Sequence, residues 1–330
     1  MTRGSSLTED LKSILFSQEY SDIQIKCSDR KILLGCRILL AARCQEFNRM
    51  LYPYRYNGMR ETNTPVISIS FPEISSITMA IVLEYLYVGE VSNDKLNAKN
   101  SIDIFYAAKY LLLPTLENIV RNFVKNMLDS KKDAIDIQNQ NVVDLFSSII
   151  VKNGKKNLDK NNSLIKSIYK KMISIQISTI QFEIVSFDML YVLLSQALDK
   201  DEYFATDEYD LFRYVVLWGA NKISSEALAT FSRLLPSSTS VDKFCEKDAF
   251  DELKFHSLRT SLLDKIGQLL PHINLELIPQ NIIGLLIHPL EIFETERLLK
   301  AYQHHAISNS SRKKRCGQNS TPKHNWFNKT

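Results

Sequence analysis

Period-two alternation of apolar and polar residues is confined to the first part of this chain, and that restricts what the chain can become. Ile23, Ile25 and Cys27 alternate with Asp22, Gln24 and Lys26, a short apolar run follows at Ile32–Leu34, and Ile67, Ile69 and Phe71 alternate with Ser68 and Ser70. Such alternation marks half-buried strands. Two strands joined by a turn at Ser28–Arg30, and a third at 66–71, are therefore expected. From Ile74 onward the spacing is helical, with helices expected at about 75–88, 100–112 and 115–129; the last carries Leu116, Ile119, Val120, Phe123 and Met127 on one face. Before the strands, Ser6-Leu7-Thr8-Glu9 has the form of a capping box, and Leu7, Leu11, Ile14 and Leu15 then share one helical face. Helical spacing also returns from Cys36 to about Leu51. The expected fold class is a small α+β region, a sheet with helices, followed by an all-α region.

The polar segment Asp129–Asp136 is the expected boundary, giving domains at 1–129 and 130–306. Within the second, a polar loop at Lys152–Asn162 interrupts the helices, Asp207-Glu208 opens a helix through Trp218, and Pro271, Pro279 and Pro289 punctuate the last ones. Residues 307–330 are polar and basic without apolar periodicity and are expected to be a disordered tail. Two domains of ordinary size suit 330 residues, and 45% hydrophobic with 24% charged residues is a globular composition.

Several function classes are excluded. The nine glycines are never closer than 17 residues, so no loop can cradle a phosphate as Walker-type NTPases and Rossmann dehydrogenases require. The net charge of +4 belongs to the tail: Arg312, Lys313, Lys314, Arg315, Lys323 and Lys329 follow Ile307 with no acid, which leaves residues 1–306 at −2. A mildly acidic body argues against nucleic-acid binding by the fold itself. Five cysteines form no C-x-x-C pair, and Glu9 and Asp10 precede any long apolar run, so no secretory signal is expected and the cytoplasm or the nucleus is the expected location. The apolar stretch Leu277–Phe293 is broken by Pro279, Gln280, Asn281 and His288, so no membrane span is expected.

No catalytic constellation is present: G-x-S-x-G, H-E-x-x-H and acidic calcium loops are all missing. No enzyme activity, cofactor or metal is expected. His304 and His305 with Cys316 suggest a zinc set, but adjacent histidines on a helix diverge by about 100°. Cys36 and Cys44 read as small buried hydrophobes rather than a redox couple. The run Arg312-Lys313-Lys314-Arg315 reads either as a nuclear import signal or as a solvated tail.

Ser21-Asp22-Ile23, then Leu34-Gly35-Cys36-Arg37-Ile38-Leu39-Leu40-Ala41-Ala42-Arg43-Cys44, Met50-Leu51, Gly58-Met59-Arg60-Glu61, Leu83-Glu84-Tyr85-Leu86-Tyr87-Val88-Gly89 and Ala107-Ala108-Lys109-Tyr110 fall in the order of a BTB/POZ domain, which residues 1–129 closely resemble. Cys36 stands where that family usually has His and Cys44 where it usually has Ser, and Tyr52–Asn57 is an unusual insertion. Phe187-Asp188-Met189-Leu190, Asp207–Phe212 with Trp218, and Leu298–His304 resemble the BACK domain that follows BTB in many adaptor proteins, more loosely between 130 and 185.

The resemblance implies a non-catalytic interaction protein: a dimeric substrate adaptor of a cullin-3 RING ubiquitin ligase or, alternatively, an oligomerisation scaffold or nuclear co-regulator. It implies that Met59 and Glu61 form the hydrophobic-x-Glu contact for cullin-3. It further implies that Leu7, Leu11, Ile14 and Leu15 pack across a homodimer and that Asp22 and Arg37 pair at that interface. Taken alone, an apolar stripe of this kind is more often intramolecular core than interface, although its place before the first strand favours an exchanged or dimer-packed helix, and Asp22 and Arg37 read alternatively as separate surface charges. The protein substrate is not readable from the sequence.

Overall fold

The computed structural model describes residues 4–15, 17–52, 67–130, 135–154, 158, 161–195, 204–243 and 252–316. The chain forms two compact units, Met1–Met172 and Ile173–Thr330. This division by contacts falls at the end of the helix 163–173, about forty residues beyond the polar segment 129–136.

In the first unit, α1 (Leu7–Ile14) precedes a hairpin of β1 (Ile23–Cys27) and β2 (Ile32–Gly35). Then come α2 (Arg37–Arg43), α3 (Gln45–Leu51) and β3 (Ile67–Phe71), followed by α4 (Ser76–Val88), α5 (Ala98–Tyr110), α6 (Pro114–Asp129), α7 (Ile135–Asn153) and α8 (Ser163–Ile173). The sheet has the order β2-β1-β3. β1 is antiparallel to β2, with Ile25 opposite Leu33, and parallel to β3, with Ile25 opposite Ile69 and Cys27 opposite Phe71. Ile23, Ile25 and Cys27 are buried as their alternation requires. Parallel pairing of β1 and β3 needs a crossover, and α2 and α3 lie within it.

The helical stretch expected from Cys36 to Leu51 is two helices. Cys44 has extended backbone (φ −140°, ψ 123°) between them. Its amide closes α2 on Leu40 O at 2.9 Å, and its own carbonyl accepts from Asn48 N at 2.9 Å to open α3. The bend lets the buried Cys44 Sγ reach Leu111 O at 3.4 Å, a long-range contact that periodicity cannot reveal. Packing around Gly35, at the end of β2, is tight: a Cβ there would stand 3.1 Å from Leu40 Cδ1 and 3.3 Å from Ile23 Cγ2, so both side chains would have to shift by a few tenths of an ångström.

Side chains cap helix starts in this unit, Ser75 on α4 among them through Thr78 N at 3.3 Å. Ser6 accepts from Glu9 N at the start of α1. The carboxylate that reaches back across that end is Asp10, accepting from Gly4 N at 2.9 Å. Asn97 and Asn100 form a reciprocal capping box on α5. α7 packs against α5 and α6, which is why the chain after Asp129 belongs to the first unit.

The second unit contains α9 (Phe187–Ser195), α10 (Glu208–Asn221), α11 (Ser225–Leu234), α12 (Glu252–Ile266), a single turn α13 (Gln280–Ile282) running into a π-helical turn at Ile283–Ile287, and α14 (Thr295–Cys316), linked by short 3-10 turns. Among the described residues no strand follows Phe71. α10 is buried nearly all round, from Tyr209 through Ala220, and it approaches α12 so closely that a Cβ on Gly219 would meet Ile266 Cγ2 at 2.4 Å. α14 carries helical backbone through residues 307–316, ten residues for which the sequence pattern suggested a disordered tail. No Pro or Gly interrupts the chain between Thr295 and Cys316, and positive charge near a helix C-terminus is favoured by the macrodipole.

Candidate interaction surface

Asp22 is the residue before β1, and its main chain ties the two outer strands: its N–H donates to Gly35 O at 3.1 Å and its carbonyl accepts from Ile67 N at 3.3 Å. Its side chain is thereby aimed at the start of α2. Oδ1 accepts from Arg37 N at 2.7 Å and Oδ2 from Arg37 Nε at 2.9 Å. The N-cap residue, Cys36, makes no capping bond with its own side chain, so Asp22 satisfies an orphan helix donor from a distance in sequence. The two side chains retain 26% and 34% exposure, so they form a half-buried clamp, shaped by geometry more than by net attraction. Beside them Tyr87 Oη accepts from Cys36 N at 2.8 Å; burial pushes its hydroxyl pKa up, which keeps it a neutral partner. The structure thus brings Asp22 and Arg37 together within one chain.

α1 lies against α4 yet buries no residue fully. Leu7 is 75% exposed, and Leu11, Ile14 and Leu15 are half-buried. The stripe is therefore not closed intramolecular core: an apolar helix face is left partly wet.

Met59 and Glu61 lie outside the described residues, as does most of the insertion Tyr52–Asn57. The elements that flank them are defined. Phe47 of α3 meets Phe71 at the end of β3 edge-on, with centroids 5.7 Å apart, and Phe71 meets Tyr110 of α5 at 6.2 Å. Tyr110 is 58% exposed and Leu112 beyond it 56%. Leu112 has φ 53°, a conformation that ordinarily selects glycine. It is held there because α5 ends in a Schellman arrangement: Leu113 N donates to Ala108 O at 2.8 Å and Leu112 N to Lys109 O at 3.2 Å. A cavity of about 500 Å³ opens beside Tyr110, lined also by Phe71, Ile74 and Tyr106, with Lys152 and Asp103 paired at 3.1 Å on its wall. Sequence reasoning passed over this corner. Its signal was the run Leu111-Leu112-Leu113 immediately before Pro114, where an apolar residue must occupy a helix-terminating position.

Arg312, Lys313, Lys314 and Arg315 fall on the C-terminal turns of α14, with their side chains outside the described residues. The buried carboxylate of Glu84 is occupied by Lys95 Nζ at 2.7 Å, a structural pair between α4 and the turn that follows it. Among the described residues no group of three or more His, Cys, Asp or Glu is placed to hold a metal ion, and no helix is long and apolar enough to cross a membrane.

Residues 11–128 match the family model of the BTB/POZ domain, so the chain carries a BTB/POZ domain, a protein-interaction module, followed by a mostly helical region. The curated protein "BTB/POZ domain-containing protein 9", from human and from cattle, is 27% identical over 123 residues, which cover 37% of this chain and 19% of each relative. The chain thus matches about a fifth of those relatives' length. Among solved structures, the BTB domain of human gigaxonin is 20% identical, with a TM-score of 0.27, covering 37% of this chain and 97% of that one.

Proposed function

We propose that this protein is a dimeric, non-catalytic adaptor that presents protein substrates, as yet unidentified, to a cullin-3-type ubiquitin-ligase scaffold, in the cytoplasm or nucleus. The observation that carries the reading is a BTB/POZ domain whose first helix leaves the face Leu7, Leu11, Ile14 and Leu15 partly exposed. A second copy covering that face would remove apolar area from water at about 25 cal/mol per Å². Asp22 and Arg37, clamped at the root of α2, give such an interface a fixed polar landmark. Met59 is the apolar anchor for cullin-3 and Glu61 its rim partner. The exposed pair Tyr110 and Leu112 supports a docking face on the same unit, and the helical region from 130 onward is compatible with a BACK domain.

Calorimetry against purified cullin-3 tests the reading directly. Wild-type protein binds, and Met59→Ala weakens binding by about thirtyfold, an anchor of roughly 2 kcal/mol, with little change in melting temperature. Light scattering shows a dimer at tens of micromolar, and Leu11→Asp with Ile14→Asp gives monomer. A dimer that shows no cullin-3 binding leaves the oligomerisation scaffold, while a monomeric wild type overturns both readings.

A further inference from the structure

We propose that the groove between α6 and α8 is a docking site for an extended acidic peptide segment of a client protein. The groove has a volume of about 410 Å³, and its floor includes Leu128 and Leu164, both buried. Its walls carry Arg121 and Lys125 from α6 and Lys170 and Lys171 from α8. α8 holds three lysines and no acid, within a body, residues 1–306, whose net charge is −2. Local positive charge on an acidic background selects an acidic partner.

The spacing of the charges specifies the shape of that partner. Arg121 and Lys125 are one helical turn apart, about 6 Å along the groove. A single phosphate is served by donors that converge on one point; a row of cations suits alternate side chains of an extended chain, which repeat at about 6.6 Å. Arg121 is already oriented: its guanidinium lies 5.1 Å from the Phe105 ring centroid, donates to Ser163 Oγ at 3.0 Å and pairs with Glu117. The Arg121–Glu117 pair is half-buried and Lys170 and Lys171 also have partners, so a ligand carboxylate binds here by competing with those partners. Ser163 and Ser167 line the groove as well, the Ser167 hydroxyl donating to Ser163 O at 2.9 Å, and Asp129 is the one acid among the lining residues. The lining contains no aromatic ring. Single-stranded nucleic acid is held by base stacking on aromatic platforms, and an aliphatic floor favours alternating Leu-like side chains instead.

This deepens the adaptor reading by naming a client chemistry, and it rests on that reading only for the client's fate. The test is fluorescence anisotropy on the full chain. The probes are a fluorescein-labelled decapeptide alternating Glu and Leu, its Lys–Leu counterpart, and a labelled ten-nucleotide oligouridine RNA. The Glu–Leu peptide is expected to bind and to weaken as salt rises; the Lys–Leu peptide is not. Lys125→Glu and, separately, Ser167→Glu, both at exposed positions, should each lower the affinity by about tenfold with an unchanged melting temperature. Three results overturn the proposal: no Glu–Leu binding at about 100 micromolar, binding indifferent to both variants, or RNA bound more tightly than peptide and lost in the same variants. Both variants should still dimerise and capture cullin-3. Failure of the peptide test therefore leaves the adaptor reading standing, and failure of cullin-3 capture by the wild type leaves the groove.

Discussion

In the N-terminal unit the joints between elements are fastened largely by carboxylates, whereas in the C-terminal unit they are fastened largely by donors that do not titrate in mild acid. Asp22 clamps the start of α2 through Arg37. Asp29, on the β1–β2 turn, accepts from Ser76 N at 3.2 Å and from Ser76 Oγ at 2.6 Å and so holds the start of α4. Glu84 holds the turn after α4 through Lys95. Among the described residues the C-terminal unit also has carboxylate clamps, Asp210 on Ser238 and Glu208 on Asn274 N, but its 3-10 turns and loops hang mainly on side chains reaching main-chain carbonyls. Trp218 Nε1 donates to Val185 O at 2.9 Å, Tyr214 Oη to Ile180 O at 3.0 Å and Tyr209 Oη to Pro236 O at 2.7 Å. Arg297 gathers the carbonyls of Leu270 and Ile273 at 2.9 and 2.8 Å.

The lesson is one of geometry. In the first unit, helix starts lie near strand ends and turns, so a short acid can reach orphan N–H groups. In the second, the long all-round-buried α10 is surrounded by irregular backbone whose carbonyls need donors, and large amphipathic side chains supply them while filling the core. Burial pushes the Tyr209 and Tyr214 hydroxyls up, so both stay protonated donors throughout the neutral range.

Three substitutions can break or sharpen this contrast. The largest effect is expected from Phe212→Ala. Phe212 is fully buried at the centre of α10, and emptying that site should cost about 3–5 kcal/mol. Hydrogen exchange followed by mass spectrometry should show protection lost across α10 and α11 while β1–β3 keep theirs; loss of protection in the sheet as well would show that the two units do not unfold separately. Trp218→Phe comes next. It keeps an aromatic ring but leaves Val185 O without its donor, a loss of about 1–3 kcal/mol, and urea midpoints should show the same deficit at pH 4 and pH 7. The smallest effect is that of Asp29→Asn, and it should depend on pH. The Ser76 hydroxyl, helped by main-chain N–H donors, holds the Asp29 carboxyl below its ordinary value of 3.8. A carboxylate depressed in the folded state contributes stability that is complete above its unfolded pKa and is lost as pH falls toward the folded one. Melting temperatures of wild type and Asp29→Asn should therefore differ at neutral pH and converge as pH drops below about 3.8. Glu208 has the opposite sign: burial raises its carboxyl pKa, so acidification relieves the C-terminal unit at that residue, and a parallel acid limb in both units would break the comparison.

What the sequence determined by itself is what local periodicity records. The strand spans at Ile23–Cys27, Ile32–Gly35 and Ile67–Phe71 and the helices α4, α5 and α6 stand within a few residues of where alternation and helical spacing put them, because each pattern reports one buried face over a window shorter than the element. The continuation of α14 through residues 307–316 was not read from the sequence, because those residues are polar and carry no apolar periodicity. Asp22 and Arg37, 15 residues apart, were readable as a pair only through the family resemblance, and Met59 and Glu61 still rest on it. Only the tertiary structure reveals the break at Cys44, which brings its Sγ to Leu111 O. It also decided the assignment of α7 and α8 to the first unit, and the juxtaposition of Arg121 and Lys125 with Lys170 and Lys171 across α6 and α8. Each of these depends on burial or charge shared between segments distant in the chain. A period of two or of 3.6 residues carries information about which side of an element faces inward and none about which other element it meets.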